Sequence, residues 1–280
     1  MREIGARNRE ISKAWSDPRL QETMFLSADY RQQIFDRHFH EEFAIGVIES
    51  GCQQFVYDGR RRLDMTGGSV ALIAPGIVHS GEPGEDGWRY RMLYPSKALV
   101  QRLLAESVVL DCERSFHAPS VIDDDLYHRL AALHLASEGG DADSLELETR
   151  LLEILVLAFT RHAGVRGTLG RFHNSAGLLR ARDALMDRLA SNSTLDDLAA
   201  IACLSRFEFL RQFRHMFGLP PHAFLRLARV RFARDLIREG LPLAESALAS
   251  GFADQAHMNR AFRRTLGFTP GVLAKARQAA

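Results

Sequence analysis

Three cysteines in 280 residues, Cys52, Cys112 and Cys203, are too few and too scattered to frame a disulfide scaffold. The chain is therefore expected to work in a reducing compartment, the cytosol. Long apolar runs are missing as well. None approaches the roughly 18 residues that a membrane span needs, and the polar N-terminus has no secretory core. Lysine is nearly absent, with only Lys13, Lys97 and Lys275, so a high arginine count alone is not evidence of a phosphate site. The signatures of catalysis are lacking too. No Ser–His–Asp or Cys–His context occurs, and Gly46, Gly51 and Gly59 are too dispersed to cradle a phosphate. Glu41–Glu42 and Asp123–Asp124–Asp125 read as solvated faces, the second opening a helix at Leu126. On these grounds an enzyme is not expected, and no cofactor is called for.

What the chain does contain is an internal repeat. Arg211, Phe213, Arg214, Gly218 and Pro221 recur 49 positions further on as Arg260, Phe262, Arg263, Gly267 and Pro270. Upstream, Leu195–Leu204 aligns with Leu243–Phe252 at an offset of 48, so one extra residue falls near Ala253. Two copies of a supersecondary unit are the simplest reading. In the first, Leu195, Leu198, Ala199 and Ala202 have helical spacing, with Asp196 and Asp197 in the first turn. Ser205 then caps a second helix that buries Phe209, Phe213 and Phe217. In the second copy Leu243, Ala247 and Leu248 form the first helix and Gly251 the turn. Asp254 caps a helix that buries Met258 and Phe262. Helix, short turn, helix, with arginine, glutamine and histidine on the second helix, describes a helix-turn-helix reader of DNA.

Charge is distributed to match. Residues 171–280 carry 17 basic and 9 acidic side chains, and the remainder carries 19 and 26. A near-neutral chain thus divides into an acidic N-terminal part and a basic C-terminal part, the footprint of a nucleic-acid module on a carrier domain.

These residues resemble the AraC/XylS transcription regulators. The resemblance is carried by Ser205, Phe213-Arg214, Gly218-Leu219-Pro220-Pro221, Arg231, Ala233, Gly251-Phe252-Ala253-Asp254-Gln255, Arg260-Ala261-Phe262-Arg263-Arg264 and Gly267-Phe268-Thr269-Pro270. It implies two helix-turn-helix units held by a long connecting helix near Pro221–Glu239, with the two second helices in successive major grooves about 34 Å apart. Base contacts are then expected from Arg206, Phe207, Leu210 and Arg211 in the first unit, and from Gln255, Ala256, His257 and Arg260 in the second. Ser205, Arg214, Arg263 and Arg264 are expected on phosphates. The departure is Cys203, which stands where the second copy has Gly251 and where this family usually has glycine. A turn that needs positive φ is strained there by roughly 1 kcal/mol.

The N-terminal part alternates apolar and polar residues over Phe43–Ile48, Gln53–Tyr57, Ser69–Ile73 and Tyr90–Leu93. Turn signals stand at Ser50-Gly51, Asp58-Gly59, Thr66-Gly67-Gly68, Pro75-Gly76 and Glu82-Pro83-Gly84. Short strands so arranged predict a small barrel. His38 and His40 share one face of a strand, and His79 follows Pro75-Gly76, a pattern that resembles the cupin motifs. The carboxylate that cupin metal sites add is displaced, because Glu42 comes too early and Ala44 and Ile45 occupy the expected places. Sensor domains of the resembled regulators keep the barrel and generally lack metal. His38, His40, Glu42, His79, Trp88, Arg89 and Arg91 are accordingly expected to line a pocket for a small ligand, with no metal. The alternative is a cupin-type metal-binding protein or metal-dependent oxygenase with an appended DNA-binding domain.

Helices are predicted over Ser96–Glu106, Asp123–Ser137 and Ser144–His162. In the last, Leu145, Leu152 and Phe159 recur every seven residues, an apolar strip that the family analogy assigns to dimerisation. The glycine-containing stretch 164–177 reads as a linker. The expected architecture is α+β: a cupin-like sensing and dimerisation barrel with helices over 1–163, and an all-α DNA-binding domain over 178–280. The resemblance implies a cytoplasmic transcription regulator, more often an activator. Its partners would be double-stranded DNA, RNA polymerase, a small polar effector and a second copy of the chain, with no membrane.

Overall fold

The computed structural model describes residues 10–57, 61–105, 116–140, 142–163 and 174–278. They form two compact units, Met1–Gly139 with Arg150–Leu169, and Gly140–Thr149 with Gly170–Ala280. Cys112 and most of the expected linker lie outside the described residues.

The first unit is built on one antiparallel sheet of eight strands: β1 Ile11–Ser16, β2 Thr23–Tyr30, β3 Phe35–His38, β4 Ala44–Tyr57, β5 Arg61–Thr66, β6 Val70–Ile73, β7 His79–Pro95 and β8 Ser120–Val121. The long strands β4 and β7 pair with each other along most of their length. In one half they are flanked by β1, β2, β6 and β8, in the other by β3 and β5. A single buried cluster draws Ala28 from β2, Phe55 from β4, Met65 from β5, Ala71 from β6 and Trp88 from β7. The two halves therefore fold onto a shared core.

Two expected turns are not turns. Ser50-Gly51 lies inside β4 and Glu82-Pro83-Gly84 inside β7, and the β4–β7 register shifts between Ile48 and Ser50 and again between Gly51 and Gln53. These are bulges, which bend a strand while keeping it paired. Gly51 is required there, since its φ is +76° and a Cβ on it would meet the Gly87 carbonyl oxygen at 2.0 Å. The strands β1 and β2 had no counterpart among the expected elements.

Three helices follow the long strands, α1 Lys97–Ala105, α2 Asp124–Gly139 and α3 Ser144–His162, close to their expected bounds; α3 through Thr149 belongs to the second unit and from Arg150 to the first. The strip on α3 is covered by the chain itself: Leu145, Leu152 and Phe159 are 1%, 0% and 3% exposed. Phe159 packs its ring against Phe43 and Phe116. This corrects the dimerisation assignment, because side chains already removed from water have no apolar surface left to offer a partner.

The second unit is all helical: α4 Ser175–Asp187, α5 Leu195–Ala202, α6 Arg206–Phe217, α7 Pro221–Glu239, α8 Leu243–Ala249, α9 Gln255–Leu266 and α10 Pro270–Gln278. The end of the expected linker, Ser175–Gly177, is the first turn of α4, capped by the Asn174 side chain. The connecting helix α7 spans the bounds that the resemblance implied. Its residues Val230, Ala233 and Ile237 share a core with Ala247, Phe252, Met258 and Phe262. Buried Arg229, also on α7, donates to the Leu189 carbonyl oxygen at 2.7 Å and to Asp143 at 2.9 Å. A buried guanidinium is tolerated when its donors are met in this way.

Candidate functional site

The pairs α5–α6 and α8–α9 are the two helix-turn-helix units. Their turns close with matching hydrogen bonds. Cys203 N–H donates to the Ala200 carbonyl and Leu204 N–H to that of Ala199; 48 positions on, Gly251 donates to Leu248 and Phe252 to Ala247, all at 3.0 Å. Each second helix then starts on a side-chain cap. Ser205 Oγ accepts from Glu208 N–H at 3.2 Å and Asp254 accepts from His257 N–H at 2.6 Å. These caps satisfy first-turn donors that otherwise lack partners. The cap is thus the observed employment of Ser205. Both helices end on left-handed glycines, Gly218 and Gly267.

In α6 the inward stripe is Phe209 and Phe213, with half-buried Phe217 continuing it. The stripe is wider than the three phenylalanines predict. Leu210 is 6% exposed and Gln212 is 2% exposed. Leu210, expected to meet a base, belongs to the core instead, since the apolar face of a packed helix commonly exceeds 100° and takes in the neighbour of each anchor. Phe207 is half-buried on the remaining face. Arg206 forms an ion pair with Asp196 in the first turn of α5. Arg211 pairs with Glu208 one turn back, its Nε 3.0 Å from Oε2, and this contact holds its guanidinium above the usual arginine pKa. Arg214 is exposed.

In α9 the core positions are Met258, Ala261 and Phe262. Gln255, Ala256, Arg263 and Arg264 are exposed, and His257, Asn259 and Arg260 are half-buried. His257 sets its ring edge-on to Phe252 in the turn, with centroids 5.2 Å apart. No acid occurs within α9, so its outer face carries positive charge only.

In the sheet unit the three expected histidines converge. His38 and His79 are cross-strand partners of β3 and β7, and His40 lies just past the end of β3. Ring centroids are 4.4 Å apart for His38–His79, 4.9 Å for His38–His40 and 5.1 Å for His40–His79. One nitrogen of each lies within 4.8 Å of those of the others. Aromatic rings support them: Phe55 stacks on His79, Tyr94 sits edge-on to His40, and Phe35 lies beside His38. Burial drives the His79 pKa down to about 4, and burial with the neighbouring His38 lowers that of His40. Both are therefore neutral at pH 7. Burial likewise raises the Tyr94 phenol.

The other expected pocket residues are not part of this cluster. Glu42 is exposed and outside it, though its charge is felt at His40. Trp88 is 1% exposed in the sheet core, among Tyr30, Phe35 and Tyr90. Arg89 and Arg91 alternate with Trp88 along β7 and project from the opposite face. There Arg89 meets Glu49 at 3.2 Å, and Arg91 meets Glu49 at 2.8 Å and Glu138 at 3.0 Å. The period of two that placed the histidines together necessarily separates these arginines from Trp88. The aromatic support from Phe35, Phe55 and Tyr94 was not foreseen, since three separate strand segments contribute it.

Among the described residues no helix is long and apolar enough to cross a membrane. Comparison with known proteins gives two family matches, an AraC-like ligand binding domain over residues 23–155 and a helix-turn-helix domain over 198–276. An HTH-type transcriptional regulator of Bacillus subtilis, YbfI, is 29% identical over 232 residues, 81% of this chain and 82% of its own. The HTH-type transcriptional activator RhaS of Klebsiella pneumoniae is 25% identical over 267 residues, 92% of this chain and 94% of its own. Among solved structures, the DNA-binding domain of the transcriptional factor AdpA in complex with a target DNA is 30% identical, covering 37% of this chain and 94% of that one, with a TM-score of 0.35.

Proposed function

The chain belongs to the AraC/XylS family of transcription regulators, and we propose that it is an activator that reads promoter DNA with both helix-turn-helix units under the control of a small polar metabolite held in the sheet unit. The observation that carries this reading is the duplicated turn, closed by matching hydrogen bonds and followed in each copy by a capped, arginine-bearing helix. On this reading Phe207 and Arg211 face bases from α6, with Arg206 joining them only once its pair with Asp196 is exchanged, and Gln255, Ala256, His257 and Arg260 do so from α9. Arginine pairs bidentately with guanine and glutamine with adenine. Arg214, Arg263 and Arg264 are assigned to phosphates, which position the protein without specifying sequence. The effector site is assigned to the neighbourhood of the three histidines and their aromatic support.

The regulator works in the cytoplasm as a homodimer, through a surface other than the covered strip of α3, and contacts RNA polymerase at the promoter. No catalytic step belongs to this function. Control requires the effector to bind two arrangements of the protein with different affinity.

Two substitutions test the DNA assignment. Arg260→Ala is expected to weaken specific binding by about 1–3 kcal/mol and to relax one base position, whereas Arg263→Ala weakens all sequences alike and lowers the salt slope by about 1. Duplex binding that scarcely responds to salt would sink the electrostatic part of the reading. A thermal-shift screen of metabolites on the full chain tests the effector. A ligand at 100 times its Kd adds about 2.7 kcal/mol of stability, and silence from sugars, amino acids and amines alike removes the metabolite from the proposal.

A further inference from the structure

We propose that His38, His40 and His79 bind a divalent transition-metal ion of the Zn²⁺ class, leaving one coordination position open to a donor from outside the chain. The donor set selects this chemistry. Three imidazoles without a carboxylate suit Zn²⁺, Co²⁺, Ni²⁺ or Cu²⁺ and do not suit Mg²⁺ or Ca²⁺, which take oxygen ligands.

The orientation of the rings supports it. His38 Nδ1 lies 2.7 Å from the Asp36 carbonyl oxygen and His79 Nδ1 lies 2.8 Å from that of Ile77. A carbonyl accepts only, so each Nδ1 carries the proton and each Nε2 keeps its lone pair. Backbone carbonyls commonly serve metal-binding histidines in this way, fixing the tautomer and turning the other nitrogen to the ion. Among the described residues neither histidine side chain makes a second hydrogen bond, and the His40 ring makes none. Three half-buried or buried rings thus bring together Nε2 nitrogens to which no hydrogen bond is made among the described residues.

The spacing is within reach of coordination. Zn–N bonds of about 2.0–2.1 Å in a tetrahedral site place nitrogens about 3.3 Å apart. The present separations are at most 4.8 Å. His79, the most buried of the three and stacked on Phe55, is the anchor, and His38 and His40 are half-buried beside it. Glu42 adds a negative charge felt at His40, which favours a cation, but it stands outside the cluster. With three protein ligands the fourth position is left for water or an incoming donor, the arrangement of an open rather than a closed site.

The test uses the full chain without a histidine tag, stripped with chelator, dialysed and titrated with Zn²⁺ and with Co²⁺. One equivalent per chain is expected to survive gel filtration, and the Co²⁺ form is expected to show visible absorption that shifts when azide takes the open position. His38→Gln and His40→Ala should each lower metal affinity at least about 100-fold, more than loss of an outer-shell partner typically costs. His128→Ala, on the exposed face of α2, should leave it unchanged. Circular dichroism establishes that each variant is folded. Should the variants unfold, protection of the three histidines from carbethoxylation by Zn²⁺ in the wild-type chain reads the same contact. Substoichiometric uptake, uptake that persists in both folded variants, or labelling unaffected by Zn²⁺ overturns the site. A Co²⁺ spectrum indifferent to azide overturns the open position. None of these readouts involves DNA, so the outcome is separable from that of the regulatory reading.

Discussion

The two helix-turn-helix units share a hydrogen-bonded turn, yet different residues occupy its left-handed position. Cys203 has φ +53° and Gly251 has φ +82°. The difference follows from what stands in front of each. A Cβ on Gly251 would lie 2.2 Å from the Leu189 carbonyl oxygen and 2.8 Å from Ala190 Cα, so no other residue fits without moving backbone. Cys203 is exposed, and a side chain there projects into solvent. Its penalty is only the intrinsic one of an L-residue in that region, roughly 1 kcal/mol. One repeat has kept glycine for two reasons, conformation and space, and the other has only the first. The second helices differ in charge in the same manner. Glu208 holds Arg211 on α6, whereas α9 contains no acidic residue.

The strongest way to break this contrast is Gly251→Ala. It is expected to cost about 3 kcal/mol or more through combined strain and overlap, seen as a lowered thermal midpoint of the full chain. An alanine tolerated at that position would show that the approach of residues 189–190 is not tight. Arg211→Ala and Arg260→Ala come next. Arg260→Ala is expected to cost specific binding about 2 kcal/mol, and Arg211→Ala less, because Arg211 must first exchange its pair with Glu208. Equal losses would erase the asymmetry. Glu208→Gln removes the competing carboxylate and is expected to tighten DNA binding by about 1 kcal/mol, measured as a lower Kd at fixed salt; unchanged affinity means that Arg211 is not withheld. The smallest effect is Cys203→Gly, expected to stabilise by up to about 1 kcal/mol, offset in part by the greater freedom of the unfolded chain.

Much of the second unit was legible because its signals are local. Ser205 and Asp254 announce caps, Gly218 and Gly267 announce ends, and Phe209, Phe213, Met258 and Phe262 mark the inward stripe. Each depends on residues within one or two turns. Leu210 was misplaced because the width of a buried stripe depends on what packs against it, and a helical wheel does not contain the neighbour. The sheet unit was less legible for the same reason. Gly51 and Pro83-Gly84 look like turns when read along the chain, and their role as bulges follows only from the partner strand across from them. The strip Leu145–Leu152–Phe159 was correctly apolar, but what covers it is a matter of long-range packing.

The order of residues alone thus specifies the duplicated unit, its caps and its division of charge, since spacing and capping act over a few residues and survive in any context. Folding in three dimensions settles which of those residues remain available. It places Leu210 in the core and ties Arg206 to Asp196. It turns Arg89 and Arg91 away from Trp88, and it carries His79 across the sheet to His38 and His40. Those outcomes depend on contacts between segments distant in the chain, where burial and register rather than local preference set the free energy.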